Sequence, residues 1–387
     1  MTERRDEQYT LAFVIGRYFE FGGLQRDMRR IALACAARGH DVHVLAGGWK
    51  GESDDSLNFH PVDLRAWTNH GRNEKLGRIV SAVRDREHYD CITGFDRIPG
   101  LDVYFAGDVC LKARIMENKP WCAWYYPRYR VYLRHERAVY GVGGDTDILL
   151  LTPAQKQSFV RHYGTEDSRL HLLPPGIDRG RLSAQSLTPP QRLALRRELG
   201  VPDDGRLLLT VGSGFHTKGV DRAIRAVAKL PSEQRAKCLY VVVGVGRASG
   251  YRRLAARLKV GGQVSFLGGR DDVGRLYHAA DLLLHPARLE NTGTVLLEAM
   301  VCGLPVLATA NCGYAHHIED AAAGRVCGQP FAQARLARAL TEVLLSDNRE
   351  QWRQNALRYC ASRDLYSMTD RAVEIIERRA ARNRRER

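Results

Sequence analysis

The sequence lacks several things that would settle its class at once. No run of about 18 apolar residues occurs, so no segment reads as a membrane-spanning helix. The first residues, Met1 to Tyr9, are charged and polar and carry no apolar core of a secretory signal. No pair of cysteines has C-x-x-C spacing, and the nine cysteines are scattered singly. They read as reduced, buried thiols of a cytoplasmic protein rather than as a disulfide framework or a zinc site. His316-His317 is the nearest approach to a metal motif, but neighbours on a helix or strand point apart. Internal repeats and low-complexity tracts are also missing.

What is present is a chain of 387 residues, 44% hydrophobic, enough for two domains with cores of their own. Lysine and arginine number 59 against 44 acidic residues, a net charge of +15. That excess favours anionic partners without choosing among nucleotides, phosphorylated acceptors, anionic lipid and nucleic acid. Part of it lies in Arg378–Arg387, which has six arginines and one acid and reads either as a frayed, solvated end or as a membrane-surface tail.

Leu11–Ile15 is a short apolar run typical of a buried strand. Leu24, Met28, Ile31, Ala32 and Cys35 then recur at helical spacing through Leu24–Arg38, Gly39 closes that helix, and Asp41–Ala46 is a second strand. This is a βαβ unit, which implies a parallel sheet. Further strands are expected at Cys91–Thr93, Val103–Ala106 and Ile148–Leu151. After Pro174-Pro175-Gly176 and the proline-bearing Leu187–Gln191, a second series begins with strands at Leu207–Val211, Leu239–Val243, Val264–Leu267, Leu282–Leu284 and Val306–Ala308. Val220–Lys229 and Thr292–Val301 are its clearest helices. The fold class is therefore α/β, with two Rossmann-like doubly wound domains, 1–178 and 190–365. They are expected to face each other across a cleft, with 366–380 crossing back to the first. Ligands of such sheets sit at the carboxyl ends of the strands.

The chemistry concentrates in His285–Val306. A strand ends at Leu284, a loop carries Glu290, and Asn291 or Thr292 can cap a helix starting near Gly293. The N–H groups of Gly293, Thr294 and Val295 then have no partner within the helix and form an anion site suited to a diphosphate. A carboxylate before the helix can grip sugar hydroxyls, and Glu298 inside it can hold a ribose. Gly303-Leu-Pro305 ends the helix and leads to the next strand.

In this context Glu290 and Glu298, with seven residues between them, resemble the paired-glutamate motif of retaining glycosyltransferases with two Rossmann-like domains. Further stretches narrow the resemblance: Tyr18–Asp27, Asn69–Asn73, Pro99–Phe105, Leu173–Ile177, Lys218–Arg222 and Cys312–His316. Over residues 11–376 the chain resembles the lipopolysaccharide core glucosyltransferases of family 4, with GT-B architecture, which add the first glucose to inner-core heptose. The resemblance implies a hexose transferred from a UDP-sugar to heptose-ended lipopolysaccharide, most simply glucose from UDP-glucose in α-1,3 linkage. Galactose or an N-acetylhexosamine is the alternative donor sugar, and another cytosolic family 4 transferase the alternative enzyme. It implies an acceptor-binding first domain and a nucleotide-sugar-binding second one. Gly22 and Gly23 would let the first loop meet donor and acceptor, Lys218 would neutralise the leaving diphosphate, Glu290 would contact the hexose and Glu298 the ribose. Asp108 would align the acceptor hydroxyl, and Asp27 is a weaker candidate for that part. Where the family often has an arginine before the lysine, this chain has Thr217, preceded by His216. No cofactor or metal is implied, and no Asp-x-Asp stands in a loop suited to one.

Lys112–Tyr140 holds seven Lys/Arg and seven Trp/Tyr against two acids. Tyr129, Tyr132, Leu133 and Val139 fall on one helical side, and Arg128, Arg130, Arg134 and Arg137 favour the other. Such a stretch suits an anionic inner-membrane surface on its cytoplasmic face, or else a helix packed on its own domain. Two rival classes fit poorly. Gly244-Val-Gly246-Arg-Ala-Ser-Gly250 imitates a dinucleotide fingerprint with one residue too many, which weakens a nicotinamide-dependent oxidoreductase. No nucleic-acid-binding motif accompanies the basic charge, so no nucleic-acid partner is expected.

Overall fold

The computed structural model describes residues 8–19, 22–51, 54–86, 88–118 and 121–387. Glu20 and Phe21 of the first loop, Lys119 and Pro120 of the basic aromatic stretch, and Met1–Glu7 lie outside the described residues. The chain divides into two compact units, Met1–Gly176 with Ser367–Arg387, and Ile177–Tyr366.

The first unit contains strands β1 (Thr10–Ile15), β2 (Tyr18–Phe19), β3 (Asp41–Ala46), β4 (Trp49–Lys50), β5 (Asn58–Pro61), β6 (Cys91–Gly94), β7 (Val103–Phe105), β8 (Asp147–Leu150) and β9 (Leu170–Leu172). Seven of them form one parallel sheet in the order β5-β3-β1-β6-β7-β8-β9, while β2 and β4 pair separately. Leu11–Ile15 is buried along its whole length because helices cover both faces of the sheet, as all-parallel sheets require. On one face Phe13 and Ile15 pack with Met28, Ile31 and Cys35 of the Gly23–Ala37 helix. On the other, Val14 and Ile148 pack with Leu76, Val80, Tyr140 and Phe159.

The second unit contains β10 (Arg206–Val211), β11 (Cys238–Val243), β12 (Val264–Gly268), β13 (Leu282–His285), β14 (Val306–Thr309) and β15 (Gly324–Cys327), ordered β12-β11-β10-β13-β14-β15 and parallel throughout. Val241 and Leu283 pack under Leu296, Leu297 and Met300. Tyr240 and Leu282 pack under Ile224, Val227 and Leu340. In both sheets the order reverses beside the first strand, between β1 and β6 and between β10 and β13. Such switch points open a crevice at the carboxyl ends of the strands.

The apolar runs anticipate the central strands closely. They miss the two-residue strands β2 and β4, and also β5, β9 and β15, which lie at the edges of the large sheets and are short. Of these β5 is exposed at all four positions, so burial leaves no pattern in its sequence. The last helix, Met368–Glu386, packs on the Gly23–Ala37 helix and β6 of the first unit and runs through the basic tail. That tail is helical and pinned by ion pairs, although all of its arginines except Arg379 are exposed. Arg379, 2% exposed, pairs with Asp102, Asp145 and Asp147, Arg382 pairs with Asp145, and Arg384 pairs with Asp90.

Candidate active site

The carboxyl end of β10 runs into the loop Gly212–Gly219. Within it Lys218 N–H donates to Gly214 O (3.2 Å), Gly219 N–H to His216 O (3.1 Å) and Val220 N–H to Phe215 O (3.0 Å). The turn closes on Gly219, the left-handed N-cap of the Val220–Val227 helix, at φ +73°. A Cβ there would stand 2.0 Å from Pro286 O, so only glycine lets this loop lie against the segment following β13.

That segment carries the carboxylate. Glu290 N–H donates to Asn311 O (3.2 Å), and Glu290 O accepts from Gly313 N–H (3.2 Å), so the loop after β14 holds the backbone of Glu290. Its side chain is 14% exposed and meets the Lys218 ammonium, itself 18% exposed. His285, at the end of β13, brings Nε2 to 3.4 Å from the same carboxylate oxygen. Burial pushes the His285 pKa down, so the ring is neutral at pH 7. Its Nδ1 has no hydrogen-bond partner among the described residues. The tautomer protonated at Nε2 therefore suits the geometry and donates to Glu290. Burial opposes ionisation of Glu290; the His285 N–H and the Lys218 charge outweigh it and hold the carboxyl at about 2.

Four residues past Glu290 the chain begins a helix, Thr294–Val301. Its N-cap is Gly293, at φ +85°, with no side-chain cap. This corrects the expectation that Asn291 or Thr292 caps it. Thr292 O instead accepts the Tyr314 N–H (2.7 Å), which ties the turn to the following loop. Leu296 N–H returns to Gly293 O (2.9 Å), and the N–H groups of Gly293, Thr294 and Val295 precede the helix's own ladder. Glu298 lies one turn further on and accepts from the Tyr277 hydroxyl (2.8 Å). Lys218, Glu290 and the helix start thus share one end of the second sheet, at its switch point.

The remaining candidates belong to the first unit. Gly22 is the N-cap of the Gly23–Ala37 helix, and Gly23 is its first residue. Asp108 is exposed in the loop after β7. The buried Gln155 amide fixes that loop by donating to Ala106 O (2.7 Å) and Asp108 O (3.0 Å), and Gln155 is itself held in a capping box with Thr152. Asp27 lies within the Gly23–Ala37 helix. Asp96, which sequence reasoning passed over, follows β6 and accepts the Gly16 N–H at 2.5 Å. Burial pushes its carboxyl pKa up, the Gly16 hydrogen bond opposes this, and the Asp108 charge adds to the rise. His285, Arg288 and Asp221 were also passed over as site residues. A polar residue ending an all-apolar strand was the available signal for His285. Nothing local pointed to Arg288, whose partners lie 67 to 72 residues earlier in the chain.

Lys112–Tyr140 divides in two. In the Pro127–Tyr140 helix Tyr129, Val131, Val139 and Tyr140 are buried against the first unit, while Arg128, Arg130, Arg134 and Arg137 are exposed. Before the helix Trp124, Tyr125 and Tyr126 are exposed, at 37%, 73% and 53%. Among the described residues no helix is long and apolar enough to cross a membrane. No group of three or more His, Cys, Asp or Glu among them is placed to hold a metal ion.

Comparison with known proteins places this geometry. The family model "Glycosyl transferases group 1" matches residues 191–359, and "Glycosyltransferase Family 4" matches residues 21–181. The lipopolysaccharide glucosyltransferase WaaG of Escherichia coli K12 is 43% identical over 367 residues, 95% of this chain and 98% of that protein. A D-inositol 3-phosphate glycosyltransferase of Geodermatophilus obscurus is 30% identical over 309 residues, 73% of this chain and 63% of that protein. The crystal structure of WaaG, a glycosyltransferase involved in lipopolysaccharide biosynthesis, superposes with a TM-score of 0.90 at 42% identity, covering 95% of this chain and 99% of that one. Anabaena Alr3699/HepE in complex with UDP-glucose shares the fold, with a TM-score of 0.72 at 18% identity over 96% of this chain and 100% of that one.

Proposed function

The chain belongs to the family of the lipopolysaccharide glucosyltransferase WaaG, and from that premise we propose that it transfers glucose from UDP-glucose to the inner-core heptose of lipopolysaccharide, in α-1,3 linkage and with retention of configuration. It is a UDP-sugar-dependent glycosyltransferase of GT-B fold. The observation that carries the reading is the meeting of Lys218 and Glu290 beside the start of the Thr294–Val301 helix.

One donor molecule accounts for all three features. The diphosphate takes the Lys218 ammonium and the N–H groups of Gly293, Thr294 and Val295, where the helix dipole favours an anion. The hexose hydroxyls take the Glu290 carboxylate, with Asn291 and Thr292 beside it, and the ribose takes Glu298. Donor binding exchanges the Lys218–Glu290 pair for these contacts. Gly22 and Gly23 let the first loop meet donor and acceptor, and Asp108 aligns the acceptor hydroxyl. The acceptor hydroxyl oxygen bonds to the anomeric carbon on the face from which the diphosphate leaves. The carbon–oxygen bond to the β-phosphate breaks, and the departing phosphate oxygen takes the hydroxyl proton. Lys218 stabilises the charge that grows on the diphosphate, which is where a fixed cation accelerates the step. The compensating charge is borne by the protein, and no metal enters.

The acceptor is lipid-anchored, and the surface formed by Trp124–Tyr126 with the exposed arginines of the following helix suits docking on the anionic cytoplasmic face of the inner membrane. The test is to incubate the purified protein with a panel of UDP-sugars and truncated, heptose-ended lipopolysaccharide, and to weigh the product by mass spectrometry. One added hexose from UDP-glucose is expected. Transfer from UDP-galactose or a UDP-N-acetylhexosamine alone would reassign the donor, and transfer from no donor would refute the reading.

A further inference from the structure

Donor transfer requires that Lys218 and Glu290, 72 residues apart in sequence, hold a fixed separation, because one molecule must touch both. One side chain spans the two loops that carry them. Arg288, two residues before Glu290, donates its backbone N–H to Thr217 O at 2.8 Å. Its guanidinium donates from Nη1 to His216 O at 2.8 Å. The same group grips Asp221 with two parallel bonds, Nη1 to Oδ1 at 2.7 Å and Nη2 to Oδ2 at 2.8 Å. Arg288 O in turn accepts the Asn311 side-chain amide at 2.9 Å. Three residues around Lys218 are thus tied to a residue two positions from Glu290, and that residue is tied to the loop supporting Glu290 from behind.

From this arrangement we infer that Arg288 and Asp221 form a clasp that sets the distance between Lys218 and Glu290, which makes Arg288 a positioning residue of the transfer reaction. The inference rests on the transferase reading above. The guanidinium does not supply charge to the diphosphate, since both of its terminal nitrogens are engaged by Asp221 and His216. Geometry is what it contributes. A two-pronged arginine–carboxylate bond fixes orientation as well as distance, which a lysine ammonium cannot do. The pair is only 28% and 23% exposed, so removing one partner costs some stability, and the melting temperature separates that cost from the misplacing of the two site residues.

The experiment compares Arg288→Ala, Arg288→Lys, Asp221→Ala and the Arg288→Ala/Asp221→Ala double variant in the full chain. Turnover with UDP-glucose and heptose-ended lipopolysaccharide, UDP affinity by calorimetry and the melting temperature are measured for each. In Arg288→Ala we expect kcat to fall roughly 10- to 100-fold, the range a displacement of about 1 Å can produce. The KM for the acceptor should stay near wild type, and each variant should remain folded at the assay temperature even where its melting temperature drops. Arg288→Lys should recover only part of the loss, and the double variant should be no worse than the poorer single one, because the two residues act as a unit. Arg288→Ala within twofold of wild type in kcat and UDP affinity would overturn the clasp. So would a loss explained by unfolding at the assay temperature, or additive losses in the double variant. If the wild type transfers no sugar at all, the transferase reading falls by itself, and UDP affinity across the same variants still decides the clasp.

Discussion

Replacing Lys218 with methionine keeps most of the unbranched side chain and removes its charge, and the structure sets two separate consequences. The first concerns the donor. Lys218 is the cation beside the helix start, and a charge-assisted contact to a phosphate is worth about 1.5–3 kcal/mol. UDP affinity should therefore weaken roughly 10- to 100-fold, by the conversion of about 1.4 kcal/mol per tenfold. Turnover should fall by at least the ~10²–10³ that loss of one preorganised donor produces, because charge on the diphosphate grows as the sugar leaves. The second consequence concerns the apo fold. Glu290 titrates at about 2 rather than 4.5, and Lys218 is one of the two groups that hold it there against burial. The full shift corresponds to roughly 3 kcal/mol, of which the lysine's share is about 1–2. The sign follows from linkage. A depressed carboxyl pKa stabilises the fold above its unfolded value and loses that contribution as pH falls through the folded one. Wild type should thus exceed Lys218→Met in urea stability at pH 7. The difference should shrink between about pH 4.5 and 2. Calorimetry with UDP, a UDP-release assay and urea titrations from pH 7 to 3 make the check. Unchanged UDP affinity with near-wild-type turnover would remove Lys218 from the site. A stability difference independent of pH would refute the coupling to Glu290.

Arg379→Met should destabilise the first unit by about 3 kcal/mol, at the lower end for a broken buried ion pair, because Asp102 keeps Arg84 and the Ile92 N–H. That predicts a melting temperature lower by roughly 6–12 °C in calorimetry, and a change under about 2 °C would show the tail to be dispensable. His317 is half-buried with Nδ1 2.8 Å from the Tyr359 hydroxyl, and burial lowers its pKa to about 4. Its uncharged form is favoured by the fold, so stability should fall as pH drops from about 6.5 to 4, and His317→Asn should flatten that slope in urea midpoints. Replacing Trp124, Tyr125 and Tyr126 together with serine should cut binding to vesicles containing anionic lipid at least tenfold in sedimentation. Activity on a short, lipid-free heptose acceptor should hardly change, and vesicle binding equal to wild type would place the docking surface elsewhere.

The depth to which the sequence could be read follows burial. Leu11–Ile15, Asp41–Ala46, Cys238–Val243 and Leu282–His285 are short and wholly or largely apolar, because a parallel sheet covered on both faces imposes that pattern on the sequence itself. The βαβ rhythm, and with it the fold class, follows from such local runs. So does the segment from Glu290 to Glu298, whose strand, loop and helix start are contiguous in the chain. The edge strands β5, β9 and β15 left no such trace, nor did the glycine cap at Gly293, since Asn291 and Thr292 are the better caps by composition and lose to a backbone that needs φ +85°. The basic tail looked like a free end because its partners, Asp90, Asp102 and Asp145, lie more than 200 residues earlier. The sequence by itself therefore determined the two α/β series and the chemistry available in one contiguous segment. Only the tertiary structure decided that Lys218 meets Glu290, that neutral His285 stands behind that carboxylate, and that Arg288 reaches Asp221. The Lys218–Glu290 and Arg288–Asp221 pairings join the segments that follow two separate strands, β10 and β13. The order of the strands across the switch point brings them together, and no local pattern of residues encodes that order.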